Sequence, residues 1–173
     1  MPRRLDDPID SIDPMTQRPR LLNCQIRDVK FGVNVTVVEP TNLYECEIGD
    51  DSFIGPFVEV QRGVVIGKRC RIQSHAFICE LVTIGDDCFI SHGAMFVNDL
   101  FRGGGPAGRN PALWQETRIG SHVSIGTNAT ILPVSICDGV VVGAGSVVTQ
   151  DIEVRGIYCG NPARLLRRID APE

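Results

Sequence analysis

Arg62, Glu80 and Asn98 stand eighteen residues apart in turn, and the same interval separates Ser74 from His92. His75 directly follows Ser74, and Asp99 directly follows Asn98. Carboxylates and imidazoles are the side chains that most often move protons near neutral pH, and an amide orients a polar partner without changing charge. Each of these residues would also sit comfortably on an ordinary polar surface. They become a chemical site only if the chain returns to one edge every eighteen residues.

A beat of six predicts that it does. Ile48, Ile54, Val60, Ile66, Ile72, Ile78, Ile84, Ile90 and Phe96 follow one another at that spacing. With 43% hydrophobic residues, nine such hits in a row would arise by chance at roughly 0.0005. Glycine often follows the beat, as in IGDDSF and IGKRCR, and small or β-branched residues recur four places after it, among them Val58, Cys70, Ala76 and Ala94. A helix would repeat its apolar positions at three and four, and a lone half-buried strand at two. Six therefore implies a short strand, a turn and a repeat, with three strands per coil making a triangular prism of coils about 4.8 Å apart. The beat continues at Ile119, Ile125 and Ile131, loses one residue in ILPVSICDG, and recovers at Ile136, Val142, Val148 and Val154. Phe31, Val37 and Leu43 read as a less regular first coil. The predicted layout is a mobile arm at 1–20, an all-β prism over 21–159 with a long loop inserted at 97–118, and a tail at 160–173 that forms a short helix.

Composition sets outer bounds. Net charge is −4, so no basic field invites nucleic acid. No apolar run approaches the ~20 residues of a membrane span, and no signal-peptide pattern is expected at the start. Seven cysteines, scattered and without a CxxC pair, read as reduced, partly buried thiols of a cytoplasmic protein.

The insertion is the longest break in the beat. From Phe96 to Ile119 the chain spends twenty-three residues where six would do. A repeat tolerates this at a corner, where only the connection lengthens. Gly103, Gly104, Gly105 and Pro106 favour neither helix nor strand. GGGPAGR lacks the GK[ST] of a phosphate-binding P-loop, so nucleotide hydrolysis is not suggested. Counting across the insertion places Asn128 above Gly93, beside the edge that carries Ser74 and His92.

IGDDCFISHGAMF, SIGTNATILP, VVVGAGSVVTQDI and YCGNPARLL resemble the hexapeptide-repeat acyltransferases, over residues 26 to 169. The resemblance implies a left-handed parallel β-helix, a homotrimer with active sites between subunits, and acyl transfer from acetyl-CoA with no metal. It also implies that the inserted loop walls a neighbour's site, where Trp114 would stack on a sugar or base and Arg102 and Arg109 would meet phosphates. Many members place a histidine where the loop begins, but this chain has Asn98 and Asp99. A hydroxyl attacks only with a strong, well-placed base, whereas an amine with a pKa of ~8 already has a usable neutral fraction. The departure therefore favours an amine acceptor.

FVEVQ, QSHAFICE and HGAMFVND further resemble the branch that N-acetylates UDP- or dTDP-linked deoxyamino sugars for bacterial surface glycans. By that resemblance Glu80 would orient the ammonium and accept its proton, Asn98 would hold the sugar, and Asp99 would contact it. His92 and His75 are alternative bases. Thr127 and Ala144 match the small residues that admit pantetheine, Thr149 and Gln150 match a Thr-Lys pair near the nucleotide end, and Arg164 matches a basic residue there. Three other readings remain: O-acetylation of a sugar or small alcohol, a zinc-dependent hydratase using His75, His92 and His122, and a non-catalytic scaffold.

Overall fold

A computed structural model describes residues 25–108 and 110–169. The arm expected at 1–20 and Arg109 lie outside the described residues. The fold is all-β, a parallel β-helix built from strands of only two or three residues between Lys30 and Val148. Three walls alternate along the chain. Among the described residues each holds six parallel strands, and the second gains two more from the C-terminal segment.

The sixfold beat explains the construction. In each strand the beat residue points inward while the residue before it faces out. Ile54, Ile72, Ile90, Ile125 and Val142 are stacked one above another in parallel register and are buried. The residues four places after the beat are buried too, from Val58 through Cys70 and Ala76 to Ala94. Each fully buried isoleucine contributes about 1.5–3 kcal/mol, so a column of them outweighs the weak intrinsic stability of two-residue strands. Glycine at the corners is a packing requirement. A Cβ on Gly67 would meet the carbonyl carbon of Gly85, one coil above, at 2.6 Å.

Three departures from regularity are visible in the register. Phe31 pairs with Ile48 and Ile119 with Ile136, each a coil of seventeen residues. Ile84 pairs with Ile119 across the insertion, so a coil closes normally although the loop leaves it. The third departure corrects an expectation. Among the described residues no C-terminal helix forms, and Arg164–Arg168 is instead a strand paired antiparallel with Gly156–Cys159. Gly160 and Pro162 turn the chain between them. A five-residue segment is too short to hold a helix alone. As a strand, its backbone pairs with the last strand of the second wall.

Candidate active site

The corner after the third wall gathers the residues of one predicted column. Asn98 Nδ2 donates to the carbonyl oxygen of Glu80 at 3.2 Å, and Arg62 Nη2 donates to Glu80 Oε1 at 3.1 Å. The Glu80 side chain is 19% exposed, against 60% for Arg62. Eighteen residues therefore do make one coil here, and they bring a carboxylate, an amide and a guanidinium to one edge.

Four neighbours went unnoticed in the sequence. Glu80 N donates to Gln61 Oε1 at 3.4 Å, and Gln61 Nε2 donates to Glu59 Oε1 at 2.9 Å. Gln61 thus couples two carboxyl-bearing residues on consecutive coils. Tyr44 lies in their field. Burial, and then the charges of Glu59 and Glu80, push its phenol above the ordinary value, with Arg27 stacked over the ring at 4.5 Å. Glu45 lies below Arg62, with Oε2 4.0 Å from Arg62 Nε. The available signal was the FVEVQ stretch itself, in which Glu59 and Gln61 alternate with buried valines.

The inserted loop starts and ends at this corner, since Gln115 N donates to the Asn98 carbonyl at 2.9 Å. Asp99 organises its interior. Phe101 N donates to Oδ1 at 2.9 Å and Ala107 N to Oδ2 at 2.6 Å. Arg102 donates to Gln115 Oε1 at 3.3 Å. Asn110 caps a single 3-10 turn, Pro111–Leu113, whose proline suits its first position. Trp114 follows it, half-buried. Between these parts lies a cavity of about 290 Å³ lined by Asp99, Arg102, Pro106, Leu113 and Gln115 among others.

The corner after the second wall carries the histidines. Ser74 Oγ lies 2.7 Å from His92 Nδ1. His75 takes a left-handed backbone, φ +64°, and stacks on Phe57 at 4.8 Å between ring centroids. Asn128 sits over Gly93 as counted, and Asn128 N donates to the His92 carbonyl at 2.9 Å. Thr127 bonds Ser91 at 2.8 Å, and Ala144 lies exposed one coil further on. His92 is therefore next to Thr127, while the width of the third wall separates both histidines from Glu80 within one chain. Thr149 and Gln150 are exposed on the last coil, at the corner shared with Glu80 and Asn98, and Arg164 is exposed in the hairpin. His122 stands at the remaining corner, with Nδ1 3.9 Å from Asp87 Oδ2. Among the described residues no three His, Cys, Asp or Glu side chains form a group that could hold a metal ion, and no helix is long and apolar enough to cross a membrane.

Residues 45–80 match the family described as bacterial transferase hexapeptide (six repeats), and residues 116–150 match the hexapeptide repeat of succinyl-transferase. The fold matches AntD, an N-acyltransferase from Bacillus cereus solved with dTDP and 3-hydroxybutyryl-CoA, at a TM-score of 0.72 and 26% identity, covering 83% of this chain and 84% of that one. The chain belongs to the hexapeptide-repeat acyltransferases. The left-handed parallel β-helix follows with it. Another member of similar fold is the hexapeptide-repeat-containing acetyltransferase VCA0836 from Vibrio cholerae, solved with acetyl-CoA, with a TM-score of 0.55 and 25% identity over 81% of this chain and 70% of that one. In sequence the chain is similar to the bifunctional protein GlmU of Micrococcus luteus, 34% identical over 135 residues, which is 73% of this chain and 27% of the relative. GlmU of Thermotoga maritima is 28% identical over 170 residues, 90% of this chain and 35% of the relative. The chain thus spans about a third of the length of these curated relatives. In this hexapeptide-repeat protein the breaks in the repeat fall at the corner that holds Glu80 and Asn98.

Proposed function

We propose that the protein transfers an acetyl group from acetyl-CoA to the amino group of a UDP- or dTDP-linked deoxyamino sugar, a step in building bacterial surface glycans. The observation that carries this reading is the Glu80–Asn98 pair at the root of the inserted loop, in a place with no histidine. The likeness to AntD, which was solved with dTDP and an acyl-CoA, supports the class of acceptor and the acyl carrier. Membership of the hexapeptide-repeat family supports a homotrimer. Phe57, Phe89 and Met95 leave an apolar outer surface on and beside the second corner, of the kind a subunit contact covers. A cytoplasmic location fits this reading.

The chemistry follows from charge. Glu80 receives the acceptor ammonium by ion pairing and holds it against the thioester. Transfer of one ammonium proton to Glu80 exposes the nitrogen lone pair, which attacks the thioester carbonyl. An N–C bond forms, the C–S bond breaks, and the departing CoA sulfur takes up a proton. Asn98 fixes the backbone that carries Glu80, and with it the position of the ammonium. Thr127 and Ala144 line the pantetheine path at the second corner of one subunit, which meets the Glu80 corner of its neighbour across the trimer interface. Thr149, Gln150 and Arg164 lie towards the nucleotide end of CoA. Asp99 holds the loop in shape, and Arg102, Arg109 and Trp114 supply its contacts to the sugar nucleotide.

One observation favours a second reading, O-acetylation. The Ser74–His92 contact fixes an imidazole beside Thr127, where a base for a hydroxyl would stand. CoA release with dTDP- and UDP-linked amino sugars separates the two. Glu80→Gln is expected to lose about 10-fold or more in kcat/KM, and His92→Ala to stay within about 3-fold. Abolition of turnover by His92→Ala alone would transfer the assignment to the histidine and a hydroxyl acceptor.

A further inference from the structure

Arg62 is held between two carboxylates, and the arrangement follows from the register. The first coil is one residue short, Leu43 pairing with Val60, so Glu45 comes level with Arg62, seventeen residues on. The next coil has its full eighteen, which brings Glu80 above it. Arg62 Nη2 bonds Glu80 Oε1 at 3.1 Å, while Arg62 Nε stands 4.0 Å from Glu45 Oε2. The upper contact is a hydrogen-bonded ion pair and the lower one sits at the outer limit of ion pairing. Glu80 is mostly covered, whereas Arg62 and Glu45 are open to solvent at 60% and 42%.

This creates a conflict for the acceptor site described above. The carboxylate that must receive an ammonium is already engaged by a guanidinium. Two cations beside one carboxylate repel each other, so bound ammonium weakens the hold of Arg62 on Glu80. Arginine has a long, flexible stem, and its second carboxylate lies on the solvent side. We propose that Arg62 and Glu45 are positioning residues for the acceptor: Arg62 screens Glu80 in the empty site, and Glu45 takes it over when the substrate ammonium arrives. The proposal rests on the reading of Glu80 as the acceptor's carboxylate. The other groups facing this corner are Tyr44, Glu59 and Arg27, the last stacked on Tyr44, so the exchange takes place within a field that is net negative.

The test is a double-mutant cycle on exposed positions, with a dTDP-linked aminodideoxyhexose as acceptor, in both regioisomers of the amine, and its UDP counterpart. KM and kcat are measured for CoA release, and acceptor affinity by calorimetry with CoA present in place of acetyl-CoA. Glu45→Gln is expected to raise the acceptor KM and Kd about 3-fold with kcat little changed, because Arg62 then has nowhere else to pair. Glu45→Asp restores the wild-type value. Arg62→Met is expected to lower Kd about 3-fold by unmasking Glu80, and in that background Glu45→Gln has no further effect. An unchanged KM in Glu45→Gln, or an effect of Glu45→Gln that persists without Arg62, overturns the exchange. Acceptor affinity that is indifferent to Glu80→Gln, or absence of turnover with every probe, overturns the parent reading and this inference with it.

Discussion

Asn98 lies one coil above Glu80 and donates its side-chain amide to the Glu80 carbonyl at 3.2 Å, while its own carbonyl accepts Gln115 N at 2.9 Å. One residue therefore ties the backbone of the candidate carboxylate to both ends of the inserted loop. Asn98→Ala removes the first of these bonds, at a cost of about 1 kcal/mol in stability. The larger effect is expected in the acceptor KM, by about 10-fold, since Glu80 loses its fixed position. Asn98→Asp should be worse than alanine, because a carboxylate has no proton to donate and adds repulsion beside Glu80. Steady-state kinetics with a parallel melting curve decide this, and an alanine variant that loses stability but keeps its KM would sink it.

Both carboxylate oxygens of Asp99 accept backbone amides within the loop, from Phe101 and Ala107, whatever contact it makes with substrate. An acceptor-only side chain that satisfies two amides is a nucleus for loop structure. Asp99→Ala is expected to speed hydrogen exchange across residues 100–108 by about 10-fold while leaving the melting temperature almost unchanged, because no core column depends on it. Unaltered exchange in that stretch would show that the loop holds its shape without Asp99.

The prism was legible because its instructions are local and repeated. Ile66 and Ile84 can be paired by counting, and each further beat confirms the register set by the last. RLLRR misled because arginine and leucine are good helix formers, and propensity is a weak prior against an unpaired sheet edge nearby. The column through Glu80 was legible for the same reason as the core, whereas Glu45 became visible only once the missing residue in the first coil was located. The bonds of Asp99 are not legible in the sequence, since its partners are backbone amides that leave no mark in side-chain identity. Arg62 and Glu80 are adjacent in the count, and the alternation in FVEVQ puts Glu59 and Gln61 on one outer face, but the bond from Gln61 to the Glu80 backbone leaves no mark in that pattern.

Corner backbone offers a sharper stability test. Gly93 and Gly145 share a left-handed conformation, φ +66° in both. A Cβ on Gly93 would come within 2.2 Å of Asn128 Oδ1, whereas nothing lies within 4 Å of one on Gly145. Gly93→Ala therefore adds a clash to the backbone strain of about 1–2 kcal/mol, and Asn128→Gly in the same chain should recover part of the loss. Gly145→Asn should cost under about 1 kcal/mol, because asparagine tolerates this conformation and already occupies it at position 128. Equal melting temperatures for Gly93→Ala and Gly145→Asn would contradict the packing.

Buried thiols make the fold sensitive to alkali. Burial pushes Cys46 up to about 11 and Cys79 up to about 12, against an ordinary thiol value of about 8.5. A raised value means that the folded state holds its proton after the unfolded chain has released one. The stabilisation is complete below the unfolded value and is lost as pH rises through the folded one, so the decline runs from about pH 8.5 to about pH 11 for Cys46 and to about pH 12 for Cys79. Over that window each thiol contributes at most about 1.4 kcal/mol per pH unit. Valine already fills several inward positions of this prism, including Val58, Val64 and Val82, so Cys46→Val and Cys79→Val should fold. Together they are expected to flatten the fall in melting temperature between about pH 8 and pH 10.5 relative to wild type. An unchanged slope would mean that the alkaline loss arises from other groups.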